Sequence, residues 1–223
     1  MAFELDHLFI CTDIDAPEAD GLIAFGLTEG TPNLHPGQGT ANRRFFFHNV
    51  MLELLWVHNS QEAQSTPISE IHIWERWVDR KRGACPFGFC LRSTSHPVSS
   101  LPFSTWEYHP PYLPESLSIP MGRNSNVITE PMLFYLSFGE RPDNFEINKS
   151  QPLKHTSGLC KVTRVKFVSP YADKPSTELK AIADANLVDL SLGEEYLLEL
   201  GFDRELQQQQ ADFRPVLPLV CRW

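Results

Sequence analysis

Cysteine is scarce and scattered in this chain: five in 223 residues, at positions 11, 85, 90, 160 and 221. An odd, dispersed set excludes a disulfide framework. Cys85 and Cys90 are spaced for neither a zinc knuckle nor a CxxC redox pair. Reduced thiols and a cytoplasmic location are the expectation. Basic residues are also in short supply, 19 Lys and Arg against 28 Asp and Glu, a net charge of −9. Such a surface repels phosphate backbones and anionic lipid, so neither nucleic acid nor a membrane is expected as partner. No apolar run nears the ~20 residues that cross a bilayer. The opening Met-Ala-Phe-Glu-Leu-Asp-His has no basic segment followed by an apolar one, so no secretory signal is expected. There is no P-loop, HExxH, EF-hand or nucleophile elbow. The one GxG, Gly37 to Gly39, has no third glycine and does not join a strand to a helix, so no nucleotide cofactor is expected.

What is present suits a folded domain. Hydrophobic residues make up 42% and charged ones 21%, ordinary for a globular protein with its own core. Residues 4–12 read as a strand, and 16–25 as a short helix capped by Asp15 with Glu18 and ended by Gly26. A Gly/Pro-rich loop holding a short strand follows. Then come the strands ANRRFFFH and VMLELLWVH, joined as a hairpin at His48-Asn49. Thr66, Pro67 and an apolar repeat at Ile68, Ile71, Trp74 and Val78 predict a helix over 66–82, closed by Gly83. Four strands are predicted in the β-rich stretch 84–139, with only the Pro/Ser run at 95–102 where a helix could stand. The last part returns to the opening pattern: KVTRVKFVSP parallels LDHLFICTD, a short helix follows at 176–186, and LLELGFD resembles MLELLWV. This predicts an α+β chain, a single domain over 1–223 with a first module at 3–58, a linker helix at 66–82, a β-rich middle module at 84–139 and a C-terminal repeat-like module at 155–204. The tail after Arg204 receives no element.

Two residues break the hydrophobic pattern. His7 shares a strand face with Leu5, Phe9 and Cys11, where an imidazole needs a partner or a metal. A backbone carbonyl partner, or a place at the exposed strand end, would satisfy it equally. Glu53 lies inside the apolar run Met51 to Val57, where a carboxylate must be paired, protonated or coordinated if it is buried; Glu199 poses the same question. A nitrogen and an oxygen donor of this kind suit one divalent ion, Zn²⁺, Fe²⁺, Mn²⁺ or Ni²⁺, although two ligands do not make a site. Asn42 and Arg44 share one face of their strand, with Arg43, Phe45 and Phe47 on the other; either arginine can hold a carboxylate bidentately. Trp106, Tyr108 and His109 offer a base and a stacking wall to a pocket, or a half-exposed strand.

Read together, LDHLFICTDID, GTANRRFFF and MLELLWV resemble the glyoxalase-like branch of the vicinal oxygen chelate superfamily, and HTSGLCKVTRVKFVSP resembles its second signature. The likeness is strong over 4–58, weak over 84–139 and moderate over 155–200. It implies βαβββ modules whose curled mixed sheets enclose a small-molecule pocket, often with a divalent metal held by a first-strand histidine and a fourth-strand glutamate. His7 and Glu53 stand at those positions. In the C-terminal repeat Arg164 takes the histidine place and Glu199 the glutamate place, and EPMLFYLSF offers no acid. Two functions remain open. One is a metal-assisted lyase, isomerase or dioxygenase-type enzyme on a small oxygenated molecule, with His7 and Glu53 as ligands or proton carriers and Asn42, Arg44, Trp106, Tyr108 and His109 around the substrate. The other is a metal-free binding or sequestering protein. A third, weaker reading makes the Trp74/Trp77 helix an interface, for instance of a homodimer.

Overall fold

Alternating apolar residues make Phe3–Cys11 a strand, β1, at the centre of the molecule. It is followed by helix α1 (Ala19–Phe25) and strands β2 (Asn33–His35), β3 (Thr40–Phe46) and β4 (Met51–Val57). Three short helices come next, α2 (Ser60–Ala63), α3 (Thr66–Ser69) and α4 (Ile73–Asp79), then strands β5 (Phe87–Ser93), β6 (Thr105–Tyr108), β7 (Ile119–Gly122) and β8 (Met132–Tyr135). The remainder comprises β9 (Val162–Ser169), α5 (Thr177–Asp184), β10 (Asp189–Leu192), β11 (Leu197–Phe202), β12 (Gln210–Asp212) and β13 (Leu219–Arg222). The structure, a computed structural model, describes residues 2–94 and 100–223; most of the Pro/Ser run at 95–102 therefore lies outside the described residues. None of the described helices is long and apolar enough to cross a membrane.

Two predicted helices are shorter than their sequence signals. The first starts at Ala19 because Asp15 and Ala16 hold φ of 65° and 46°, outside helical space. Glu18 accepts from the Asp13 amide at 2.9 Å instead of completing a cap. The helix expected over 66–82 is broken at His72, which adopts φ 54° and ψ 30°. The reason lies in packing: Ile71 and Ile73 both line the same cavity, and a continuous helix would place residues two apart on nearly opposite sides. Trp77 is half-buried and its indole N–H donates to the Thr12 carbonyl at 2.8 Å, so that ring anchors the helix to β1 rather than offering a free face.

The chain is an α+β protein with two mixed sheets, of eight and five strands, neither closed into a barrel. The large sheet runs β2-β3-β4-β1-β5-β8-β7-β6. Its two halves match: β1 is parallel to β4 as β5 is to β8, and β1 joins β5 antiparallel. In the first half His7 pairs with Met51 and Phe9 with Glu53; in the second, Gly88 pairs with Met132 and Cys90 with Phe134. Leu8 opposes Phe89 on the local two-fold axis between them.

The small sheet runs β10-β9-β11-β13-β12, and here the expected repeat is corrected. β11 is antiparallel to β9, whereas β4 is parallel to β1, so LLELGFD does not stand where MLELLWV stands. The orientations instead follow β4-β1-β5-β8-β7, with β9 matching β1 and β11 matching β5. The tail left unassigned supplies β12 and β13.

The two sheets pack back to back. Leu8, Ile10, Phe87 and Phe89 meet Val165, Phe167, Leu198 and Leu200 in one buried core, with the Phe167 ring edge-on to Phe87 and Phe89 at 5.8 Å from each. Each such side chain contributes roughly 1.5–3 kcal/mol on burial. The opposite face of the small sheet carries Glu199, bonded to Lys166 Nζ at 3.1 Å and Arg222 Nε at 3.0 Å. Burial raises the Glu199 pKa, but these two cations outweigh it and hold the carboxyl below its ordinary range. Its stabilising effect is therefore complete above the unfolded value of ~4.3 and fades as pH falls through the lower folded value. Glu199→Gln should cost stability above about pH 5, and the gap to wild type should close below pH 4 in urea unfolding.

Arg76 ties the halves of the molecule together. Fully buried, it donates to the carbonyls of Ser125, Val127, Ile128 and Glu130. The Glu130 carboxylate accepts from the Ser176 amide at 2.6 Å, from the Ser176 hydroxyl and from Asn124 Nδ2, while Ser176 Oγ caps α5 by accepting from Leu179 N. Replacing Arg76 with Met leaves these buried carbonyls without their donor, and should cost roughly 3–5 kcal/mol in chemical denaturation.

Candidate functional site

The face of the large sheet turned away from the core is cupped over a cavity of about 510 Å³, within the usual size for small-molecule sites. Its apolar wall includes Phe9, Leu55, Ile71, Ile73, Ile119, Met121, Met132 and Phe134. Its polar lining comprises Asp6, His7, Asn33, His35, Gln38, Arg44, Glu53, Tyr108 and Tyr112.

Simple alternation puts His7 on this face and Asp6 on the other. Both line the cavity, because the β1–β5 ladder slips between Leu5 and His7, and a bulge turns the extra residue to its neighbour's side. Asp6 Oδ1 then accepts from His7 Nδ1 at 2.7 Å, and Asp6 Oδ2 from Arg92 NH1 at 3.1 Å. Arg92 is itself buried and also bonds Glu4 at 3.1 Å and the Asn49 carbonyl at 2.7 Å. With Nδ1–H given to Asp6, Nε2 is the atom His7 offers a ligand. Burial opposes its cation, but the Cys90 sulfur, Glu53 and the Asp6 hydrogen bond outweigh it, and His7 titrates well above the ordinary histidine range. For Asp6, burial is likewise outweighed by His7 and Arg92, and its pKa is lowered.

Glu53 projects from β4 onto the same face and is buried. Asn42 Nδ2 donates to Glu53 Oε1 at 2.9 Å while Asn42 Oδ1 accepts from the Asn33 amide at 2.9 Å, so one carboxylate oxygen is fixed. A second chain of bonds lines the rim: Tyr108 OH donates to Gln38 Oε1 (2.9 Å), Gln38 Nε2 to Thr40 Oγ1 (2.8 Å), and that hydroxyl meets His35 Nδ1 (2.9 Å). Tyr112 lies against the His35 ring at 4.7 Å. Burial keeps His35 below the ordinary histidine range, hence neutral.

Of the residues singled out in the sequence, His7, Glu53, Arg44 and Tyr108 meet in this cavity, and Asn42 holds Glu53 from behind. Two do not. Trp106 packs outside the cavity with its indole N–H on Ser125 Oγ at 3.1 Å, and His109, one residue past the Tyr108 strand end, is exposed. Arg43 is used up by Glu29, through two bonds of 2.7 Å, leaving Arg44 as the cavity arginine. Asp6, His35, Gln38 and Tyr112 were missed. The bulge hides Asp6 from alternation, and the other three sit in loops or a three-residue strand with no period to read.

The metal expected from the resemblance finds few donors. The places matching His7 and Glu53 in the second half are Gly88 and Phe134. A Cβ at Gly88 would lie 2.0 Å from the Phe9 ring, and Phe134 packs edge-on to His7 at 5.3 Å. Asp6, His7 and Cys90 bring ligand atoms within 4.8 Å of one another. Both Asp6 oxygens are already bonded, however, and burial pushes the Cys90 thiol up to about 11. This donor set is a poor fit for a resident divalent ion.

No protein-family model matches the chain, and no curated protein matches it in sequence. A solved structure of a hypothetical protein from Staphylococcus aureus is similar in fold, with a TM-score of 0.56 at 12% identity, covering 100% of this chain and 98% of that one. At that identity the likeness concerns the fold alone.

Burial pushes Cys11, Cys85 and Cys221 up to about 12, while Cys160 is exposed. A thiol reagent at neutral pH should therefore modify one cysteine rapidly in the native protein and the other four only after denaturation.

Proposed function

We propose that this chain is a glyoxalase-like protein of the vicinal oxygen chelate superfamily, and that its cup is the active site of an isomerase or lyase moving a proton on a small oxygenated molecule without a resident metal. The observation that carries this reading is the meeting of His7, backed by Asp6 and Arg92, and Glu53, backed by Asn42, in one largely apolar cavity. The β, α, β, β, β order over the first half and the matched halves of the large sheet support the family assignment.

The chemistry follows from charge and position. The Glu53 carboxylate takes a proton from a carbon next to a carbonyl. His7, charged and held by Asp6, gives its Nε2 proton to that carbonyl oxygen. The product is a neutral enol, with Glu53 protonated and His7 neutral. Where the carbon that lost its proton carries a hydroxyl, the Glu53 proton passes to the former carbonyl carbon while that hydroxyl becomes the new carbonyl and gives its proton back to His7 Nε2, which completes an isomerisation and restores both groups. The apolar wall excludes water and strengthens both interactions.

The test is exchange of the C3 protons of 2-oxooctanoate in deuterium oxide, followed by NMR. Wild type should exchange them above the buffer rate, and Glu53→Gln and His7→Ala, each checked by circular dichroism, should lose roughly 10²–10⁴-fold. Binding of the probe without exchange would replace this reading with that of a metal-free sequestering protein, which the apolar wall also favours.

A further inference from the structure

We propose that Arg44 is an anchor for a monocarboxylate, so that the ligand of this cup is an acid with a charged head at the β3 edge and an apolar tail along Ile71, Ile73, Met121 and Met132. The inference rests on reading the cup as a ligand site, and it adds what kind of molecule enters.

Arg44 Nε is fixed on the Thr31 carbonyl at 2.7 Å, and its guanidinium carbon lies 5.2 Å from the centre of the Phe46 ring. The group is thereby held in place along one edge. Its two terminal nitrogens have no protein partner among the described residues, although Arg44 lines the cavity and sits directly across the ladder from Glu53. No ion pair joins these two. Glu53 is instead held by Asn42 on one oxygen. A planar fork of free N–H groups, half-buried and steadied at its base, matches a carboxylate bidentately.

Charge balance at the cavity points the same way. His7 is paired with Asp6 at 2.7 Å, and Arg92 with both Asp6 and Glu4 at 3.1 Å. Arg44 has no such ion pair among the described residues. Burial disfavours its charge, and the Glu53 carboxylate across the ladder supports it without a direct bond. An anion arriving at the fork supplies the bonded partner it lacks. The neighbouring Glu53 carboxylate repels a dianion more than a monoanion, which favours a carboxylate over a phosphate ester. At Ile71 and along α4, β7 and β8 the side chains that line the cavity are aliphatic, sulfur and aromatic, so the tail is apolar.

Isothermal titration of the full chain with octanoate, 1-octanol and octylamine tests this. Octanoate should bind at least about tenfold tighter than either isostere. In Arg44→Met the preference should fall to within about twofold of the alcohol, and Arg44→Lys should keep part of it. Equal affinity of wild type for octanoate and octanol, or an unchanged preference in Arg44→Met, overturns the proposal. Should Arg44→Met fail to fold, the wild-type series and Arg44→Lys still decide. Tight octanoate binding without proton exchange on 2-oxooctanoate leaves the anchor standing and removes the catalytic reading; no binding of any probe removes both.

Discussion

The site depends on one displaced residue. By inserting itself as the extra member of the β1–β5 ladder, Asp6 leaves the core-facing side of the strand and arrives beside His7 on the cavity side. A buried aspartate alone would be costly, and it is tolerated because Arg92 comes from the neighbouring strand to meet it. Arg92 is in turn shared with Glu4 and the Asn49 carbonyl. This small ionic knot fixes the direction of the imidazole.

The halves of the large sheet share a strand plan but have diverged in side chains. Where the first half places His7 and Glu53, the second places Gly88 and Phe134. Phe9 explains part of this, since its ring fills the space any larger residue at Gly88 would need. The second half therefore supplies walls while the first supplies the reactive groups. The small sheet shows a further step in the same direction: its outward face carries an ion cluster around Glu199 in place of a hollow.

Much of the first half was readable in the sequence, because a half-buried strand writes its faces into alternation. Asn42 and Arg44 opposite Phe45 and Phe47, and Glu53 in an apolar run, each follow from period two. What could not be read required knowledge of pairing. The bulge at Asp6 exists only between two strands. The break at His72 is invisible because its helical spacing is good on both sides and only the common target of Ile71 and Ile73 demands a turn. The likeness of LLELGFD to MLELLWV misled for a related reason, as similar strand sequences carry no mark of parallel or antiparallel neighbours.

The buried Arg76 guanidinium has a consequence for how the molecule can be divided. It belongs to the short helix whose first residue, Ile73, walls the cavity, yet the loop it grips ends in Glu130, which holds the start of α5 beneath the other sheet. A fragment cut ahead of Val162 would keep every reactive side chain and still lose the brace behind them. The smaller sheet is thus a buttress, and evolution cannot discard it without loosening the vessel it supports.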